Sequence, residues 1–278
     1  MIFLLLAILS SSMISILMRV SSKRVSADLS MLAVNYLICA ILGLGYTGFQ
    51  PATPADTGFG VTILVSVISG AFYLAGFVLF QHYTQKNGIV LSSIFMKLGL
   101  LVPVAMSMVI FREAPTVVQI AGFCLAVAAI VLINLKKDDS GKGFGWGLLV
   151  MLVVCGGCDA MSKIYERVGP AALSDSYLFY NFVVAFLLAA VMVMGKKEKP
   201  GVPELLYGTL IGIPNFFSAK FLLAALTRLP AVVVYPSFSV ATLLIVTLAG
   251  VVVFRERLSK IQWLALAGII VALILLNI

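Results

Sequence analysis

Long apolar runs separated by short polar breaks dominate this chain. The runs are apolar on every side, and many approach the roughly 20 residues that cross the hydrocarbon core of a bilayer. The breaks are short and rich in glycine, proline or charge, and KKDDSGKG at 136–143 divides the runs equally. We predict ten membrane-spanning helices at 2–19, 30–48, 60–83, 89–111, 116–135, 144–165, 173–194, 204–227, 231–254 and 261–277.

Composition supports the same class of protein. Of the 278 residues, 62% are hydrophobic and 11% are charged, whereas soluble domains carry roughly 25% charged residues. So few charges could not cover a soluble surface, and barrel strands would alternate polar and apolar residues. We therefore predict an all-α, multi-pass integral protein of the cell membrane (inner or plasma membrane).

The two halves of the chain resemble each other. A shift of 143 residues aligns Phe111-Arg112-Glu113 with Phe254-Arg255-Glu256, and Asn134 with Asn277. An odd number of spans per repeat makes the second repeat enter the membrane from the opposite side. We predict two inverted five-helix repeats at 1–137 and 143–278, an architecture common among secondary transporters.

The motifs FREAPTVVQIAGF at 111–123 and FRERLSKIQWLALAG at 254–268 carry a resemblance that covers the whole chain. Each has a glutamate just after the fourth helix of a repeat and a fifth helix containing Gln and Gly. In this the chain resembles the EamA family of the drug/metabolite transporter superfamily. The resemblance implies a transporter and marks Glu113 and Glu256 as motif residues, which we interpret as interfacial ion pairs or turn-fixing residues. Many relatives have a Trp-Gly pair in the first helix of each repeat, and the first helix of this chain has Ser10-Ser11-Ser12 with no tryptophan.

Basic residues predict an orientation. Thirteen of the 19 Lys and Arg residues lie in the loops that follow odd-numbered spans, and three (Arg112, Arg167 and Arg228) lie on the other side. The positive-inside bias then puts the basic loops in the cytoplasm and both termini outside. The family resemblance implies both termini inside, so the sequence leaves two orientations open.

Ionisable residues within predicted spans are candidate site residues because charge at membrane depth is costly. They are Lys97, Lys220, Asp159 and Lys163. Asp159 and Lys163 have the spacing and order of a local helical pair, and either neutralise each other or contact the solute. The lysines either line a cavity or extend their amines to the membrane surface.

Uncharged polar residues form one-sided stripes on several spans. Such stripes either line a wet cavity or join helices by hydrogen bonds. The candidates on spans seven, nine, two and three are Tyr177, Tyr180, Asn181, Tyr235, Ser239, Asn35 and Tyr73. Asn35 and Asn181 align as repeat mates at an offset of 146 residues.

Other chemistries have weaker support in the sequence. The Cys155-x-x-Cys158 spacing lies inside an apolar span without a second ligand pair, and the chain has one histidine. We therefore expect no metal, no cofactor and no enzymatic activity. The net charge of +8 lies mainly in loops, so we expect no nucleic-acid partner.

These features together favour a secondary active transporter. It would export or exchange a small polar metabolite by alternating access, with amino acids or organic anions preferred because lysines outnumber aspartate in the spans. We find no nucleotide-binding motif, so proton exchange or a solute gradient would drive transport. The alternatives are an exporter of organic cations and drugs, a channel, and a non-transporting membrane scaffold. The partners expected are the solute and the bilayer, and monomer and dimer remain open.

Overall fold

The computed structural model describes residues 2–99, 101–109, 116–135, 146–226 and 231–276. Every regular element in these ranges is helical. The α-helices are α1 Ile2–Ser21, α2 Asp28–Tyr46, α3 Phe59–Asn87, α4 Ile89–Leu98, α5 Leu101–Val109, α6 Val117–Leu135, α7 Trp146–Val168, α8 Ser174–Lys196, α9 Val202–Leu226, α10 Ala231–Val252 and α11 Lys260–Leu276. A short 3-10 helix at Ala171–Leu173 precedes α8.

The apolar helical stretches match the ten predicted spans in place, and two helices, α4 and α5, share the fourth span. Six stretches of the described chain are long and apolar enough to cross a membrane: Ile2–Ser21, Asp28–Tyr46, Phe59–Asn87, Trp146–Tyr165, Ala171–Lys196 and Val202–Leu222. Shorter apolar stretches occupy the other four predicted spans, at Ile89–Pro103, Val117–Ala129, Ser237–Val252 and Lys260–Leu275. The prediction of an all-α, multi-pass membrane protein is confirmed.

Two helices occupy the predicted fourth span at 89–111, of which residues 100, 110 and 111 lie outside the described part of the chain. Helix α4 ends at Leu98 and α5 begins at Leu101. Pro103 has no N–H to donate to the Gly99 carbonyl four residues earlier, and the Val102 N–H donates to it instead at 2.9 Å. Gly99 also lies against α7, where an added Cβ would be 2.8 Å from the Gly156 nitrogen.

Helix packing follows the symmetry of an inverted repeat. Helix α2 packs on α8 and α9, α3 packs on α8 and α7, α1 packs on α9 and α10, and α7 packs on α3, α4 and α5. Exchanging the two halves turns the α2–α9 contact into the α8–α3 contact, and the α1–α9 contact into the α7–α3 contact. The helices that end the repeats, α6 and α11, pack on each other.

The two matching seams are held by the same kind of contact. In the α2–α9 seam, a Cβ added to Gly212 would lie 2.8 Å from the Asn35 carbonyl oxygen. In the α8–α3 seam, a Cβ added to Gly70 would lie 2.6 Å from the Asn181 carbonyl oxygen. Small residues allow such close approach of helix backbones, so Asn35 and Asn181 occupy equivalent structural positions.

Each end of the bundle is held by its loops. We call the end carrying the loops after α1, α3, α6, α8 and α10 the basic end, and the other the opposite end. At the basic end, the buried Glu204 carboxylate accepts N–H groups of Ser26, Ala27 and Gly201. At the opposite end, Ala52 donates its N–H to Ser176 Oγ at 3.0 Å. These contacts fix the entries to α2 and α8.

Gly70→Ala should destabilise the protein by about 1–3 kcal/mol, because the new methyl group would overlap the α8 backbone. Gly60→Ala is the matched control in the same helix, since a Cβ there meets nothing within 4 Å. Its stability should stay within about 1 kcal/mol of wild type. Thermal unfolding in detergent, followed by size-exclusion fluorescence, measures both. Equal melting temperatures would contradict the close α3–α8 seam.

Candidate functional site

A pair of opposite charges lies between the two repeats, deep in the bundle. Lys97 is on α4, two residues before Gly99, and Asp159 is on α7, three residues after Gly156. Gly99 packs on Gly156, and both helices run away from the basic end. Lys97 and Asp159 therefore lie on either side of this contact, roughly 7.5 Å apart along the helix axes. Their charges interact, but they form no direct ion pair in the described structure. The space between them is a candidate solute site.

Asp159 is accessible on the surface of α7. Its side chain is exposed although protein atoms surround it densely. Val150, which is also exposed, lies on the other side of α7, since nine residues at about 100° each place it roughly 180° away. Ser162, three residues beyond Asp159, is exposed as well. Asp159 and Ser162 therefore form an accessible polar face of α7.

An aromatic ring of a third helix contacts the charged pair. The Lys97 ammonium lies 4.5 Å from the centroid of the Phe238 ring on α10, a contact that favours a desolvated cation. Tyr73 on α3 is half-buried in the same region of the bundle. The Tyr36 hydroxyl on α2 donates to the Tyr73 carbonyl oxygen at 2.8 Å. We call Lys97, Asp159, Phe238 and Tyr73 the central site.

The structure places Lys220 away from the central site. Its amine forms an ion pair with Asp175 Oδ1, 2.6 Å away, and lies 4.7 Å from the Tyr46 ring centroid. Asp175 is in the first turn of α8 at the opposite end. The lysine thus extends toward the membrane surface, which is the second of the two arrangements considered from the sequence.

The tyrosines predicted on span seven bind helices and loops. The Tyr177 hydroxyl donates to Ser69 Oγ at 3.1 Å, and its ring stacks on Tyr165 with centroids 4.1 Å apart. The Tyr180 hydroxyl donates to the Ala52 carbonyl oxygen at 2.6 Å. Both side chains hold α8 to neighbouring segments in this conformation.

The asparagines occupy the interior of the seams. Asn35 Oδ1 accepts from Asn215 Nδ2 at 3.2 Å. Asn181 is fully buried, and its amide atoms have no hydrogen-bond partner among the described residues. The Asn181 amide is therefore better suited to bind water or solute than to join two helices by a hydrogen bond.

The remaining predicted residues have varied placements. Ser239 is buried on α10 next to Phe238. Lys163 is half-buried one turn beyond Asp159. The Tyr235 side chain and the whole of Glu113 lie outside the described residues.

Glu256 closes the basic end of the bundle. Its carboxylate accepts the N–H groups of Ile89 at 2.8 Å and Val90 at 3.2 Å, at the start of α4. It also pairs with Arg19 at 3.2 Å. Arg19 in turn donates to the Thr84 carbonyl oxygen at 2.8 Å. One carboxylate of the second repeat thus contacts the end of α1 and the start of α4, and Arg19 extends this contact to the end of α3.

Sequence reasoning missed Phe238 and the inward role of Arg19. Arg19 was counted with the basic loops, although it lies at i+4 and i+8 from Ser15 and Ser11 on the same helix face. Phe238 lies three residues after Tyr235, on the polar stripe of the ninth span. Both signals were present, but an aromatic residue in an apolar span and an arginine at a span end are common.

The Cys155–Cys158 segment serves packing. The cysteines are free thiols. Between them, Gly156 lies against Gly99, and a Cβ added to Gly157 would lie 2.8 Å from the Phe72 ring. No cluster of potential metal ligands occurs among the described residues.

Multi-pass helices arranged with inverted-repeat symmetry around a deep, accessible charged pair define a membrane transporter. The chain belongs to the EamA-like transporter family, whose model matches residues 1–135 and 141–278. Members of this family, part of the drug/metabolite transporter superfamily, are transporters rather than enzymes.

Two relatives extend this comparison. An uncharacterized protein of Haemophilus influenzae is 22% identical over 280 residues, covering 95% of this chain and 93% of its own. A solved crystal structure of a protein matches with a TM-score of 0.61 at 18% identity, covering 99% of this chain and 94% of that one. At this identity the structural likeness shows the fold alone.

Removing either charge of the Lys97–Asp159 pair should destabilise the protein, because the other charge then lacks its counterion. Lys97→Met and Asp159→Asn together should cost less than the sum of the single changes, with a coupling of about 1 kcal/mol or more. Thermal unfolding of the three variants gives the coupling.

Lys220→Met combined with Asp159→Asn is the control, because Lys220 pairs with Asp175. These two effects should add within about 0.5 kcal/mol. If instead Asp159 coupled to Lys220 and not to Lys97, the central pair would be wrongly assigned.

Proposed function

We propose that this chain is a secondary active transporter that exports or exchanges a small polar metabolite by alternating access between its two repeats. The observation that carries the proposal is the Lys97–Asp159 pair, accessible and not in direct contact at the interface of the repeats. A deep site between inverted repeats is where such transporters bind their solute.

The charges of the site favour an amino acid among the preferred substrates. A lysine ammonium binds a carboxylate, and an aspartate binds an ammonium group. A zwitterion offers both groups and would lie between Lys97 and Asp159 without leaving either charge unpaired. Because Asp175 neutralises Lys220, the positive surplus that favoured simple organic anions is smaller than the composition of the spans suggested.

An exporter of organic cations is the second candidate. Asp159 is exposed in the site, and the rings of Phe238 and Tyr73 provide surfaces that attract cations. In that case Lys97 would act as the counterion of Asp159 and be displaced from it by the cationic solute.

Proton exchange is our proposed driving force. Among the carboxylates that the structure describes, that of Asp159 lies deep within a span and is also accessible. If a proton and the solute compete for one carboxylate, binding of one releases the other, and this competition is sufficient to couple their transport.

We further propose that the chain resides in the cell membrane with its basic end in the cytoplasm, as the loop charges favour.

Lys97→Met and Asp159→Asn should each lower solute exchange in proteoliposomes by about tenfold or more, the effect of losing one charge-assisted hydrogen bond. Radiolabelled exchange detects electroneutral transport, and membrane currents detect the electrogenic case. The panel comprises amino acids, organic acids and organic cations. Lys220→Met, which changes the ion pair at the opposite end, should retain most of the activity.

The panel separates the two candidates. Exchange of amino acids that fails in both central variants supports the proposal. Transport of organic cations alone, retained in Lys97→Met and lost in Asp159→Asn, would contradict it and favour the cation exporter. Equal loss in Lys220→Met would contradict the assignment of the site.

A further inference from the structure

The carboxylate of Glu256 is held in place by unusual backbone geometry on both sides. The preceding residue, Arg255, has a left-handed backbone with φ of 54°, which costs a non-glycine residue roughly 1–2 kcal/mol. On the other side, Gly88 has φ of 85°, and a Cβ there would lie 2.8 Å from the Glu256 carboxylate. Strain of this kind persists where the surroundings fix it, and it often marks a functional position.

The contacts of Glu256 join the two repeats at the basic end. The carboxylate belongs to the segment after α10, whereas its partners are Arg19 on α1 and the N-terminus of α4. Arg19 extends the contact to the end of α3 through the Thr84 carbonyl. We call Glu256, Arg19 and the N–H groups of Ile89 and Val90 the latch. It spans the helices that would have to separate to open this end.

Buried hydroxyl groups without partners lie between the latch and the central site. The Oγ atoms of Ser15 and Ser93 and the Oγ1 atom of Thr247 are buried and make no hydrogen bond in the described structure. They belong to α1, α4 and α10, which pack on one another. Ser93 is one helical turn from Lys97 on one side and one turn from Ile89 on the other.

Buried hydroxyls without partners are costly, at roughly 1–3 kcal/mol each. A row of them on three helices is unexpected in a permanently dry core, where apolar residues of the same size would be more stable. Such a row is expected where the helices separate during the working cycle and water or solute reaches the hydroxyls. The row runs from the central site to the latch, the direction a solute would take through this end.

We propose that the latch is the gate of the basic end, and that Ser15, Ser93 and Thr247 line the pathway that it seals. The inference rests on the proposed alternating access. In this structure the gate is closed, and α7 exposes Asp159 and Ser162. Loss of the latch shifts the protein toward a conformation open at the basic end, with the row of hydroxyls wet.

Glu256→Gln should expose the hydroxyl row from the basic end. The reporters are Ser93→Cys and Thr247→Cys in a background whose four native cysteines are replaced. A membrane-impermeant maleimide is applied to vesicles from each side. We expect both reporters to be labelled about tenfold faster from the basic end in Glu256→Gln. The reason is that the closed state loses one charge-assisted contact, which shifts the population toward the open state. Arg19→Gln should raise it in the same way.

Two further variants complete the test. Glu198→Gln is the matched control, because Glu198 also lies at the basic end and accepts the N–H of Ser30 outside the latch; its labelling should equal that of wild type. A Ser162→Cys reporter, exposed in this structure, should be labelled more slowly in Glu256→Gln if one end closes as the other opens.

Labelling requires no substrate, so it tests the gate even if the proposed solute is wrong. Unchanged labelling of Ser93→Cys and Thr247→Cys in latch variants that remain monodisperse would overturn the proposal. So would an equal rise in Glu198→Gln, because the basic end would then loosen without any special role of Glu256.

Discussion

The cost of placing charge inside a bilayer constrains this protein more than any other interaction. Charges at depth persist when they are paired or reach water. In the described structure Arg19 pairs with Glu256 at the basic end and Lys220 with Asp175 at the opposite end, whereas Lys97 and Asp159 face each other across α4 and α7 without direct contact. The pairs therefore fix which helices are neighbours, and a change of conformation must exchange or hydrate them.

The depth of each pair suggests its task. The Lys97–Asp159 pair lies deep in the spans without direct contact, and the Phe238 ring lies 4.5 Å from the Lys97 ammonium. The Arg19–Glu256 pair lies at the basic end in direct contact and reinforces the start of α4. Lys97 and Ile89 are on the same short helix, so α4 would connect the proposed site with the proposed gate.

The sequence predicts the general architecture well and the site less well. Ten apolar runs and the repeated FRE motif are sufficient for the spans and their inversion, because bilayer thickness sets helix length. The proximity of Lys97 and Asp159 was not predictable, since spacing alone pairs Asp159 with Lys163 on the same helix. Lys97 lies near Asp159 because Gly99 and Gly156 bring α4 and α7 together. Helix α4 ends at Leu98 beside this contact, and a contact between distant segments is not visible in periodicity.

The central claim is that solute binds between Lys97 and Asp159. A cryo-EM structure in lipid nanodiscs with a saturating transported solute tests it most directly. Our account predicts solute density in contact with both side chains and with the Phe238 ring. Density beside Lys220 and Asp175 instead, with Lys97 and Asp159 unchanged from the solute-free protein, would contradict it.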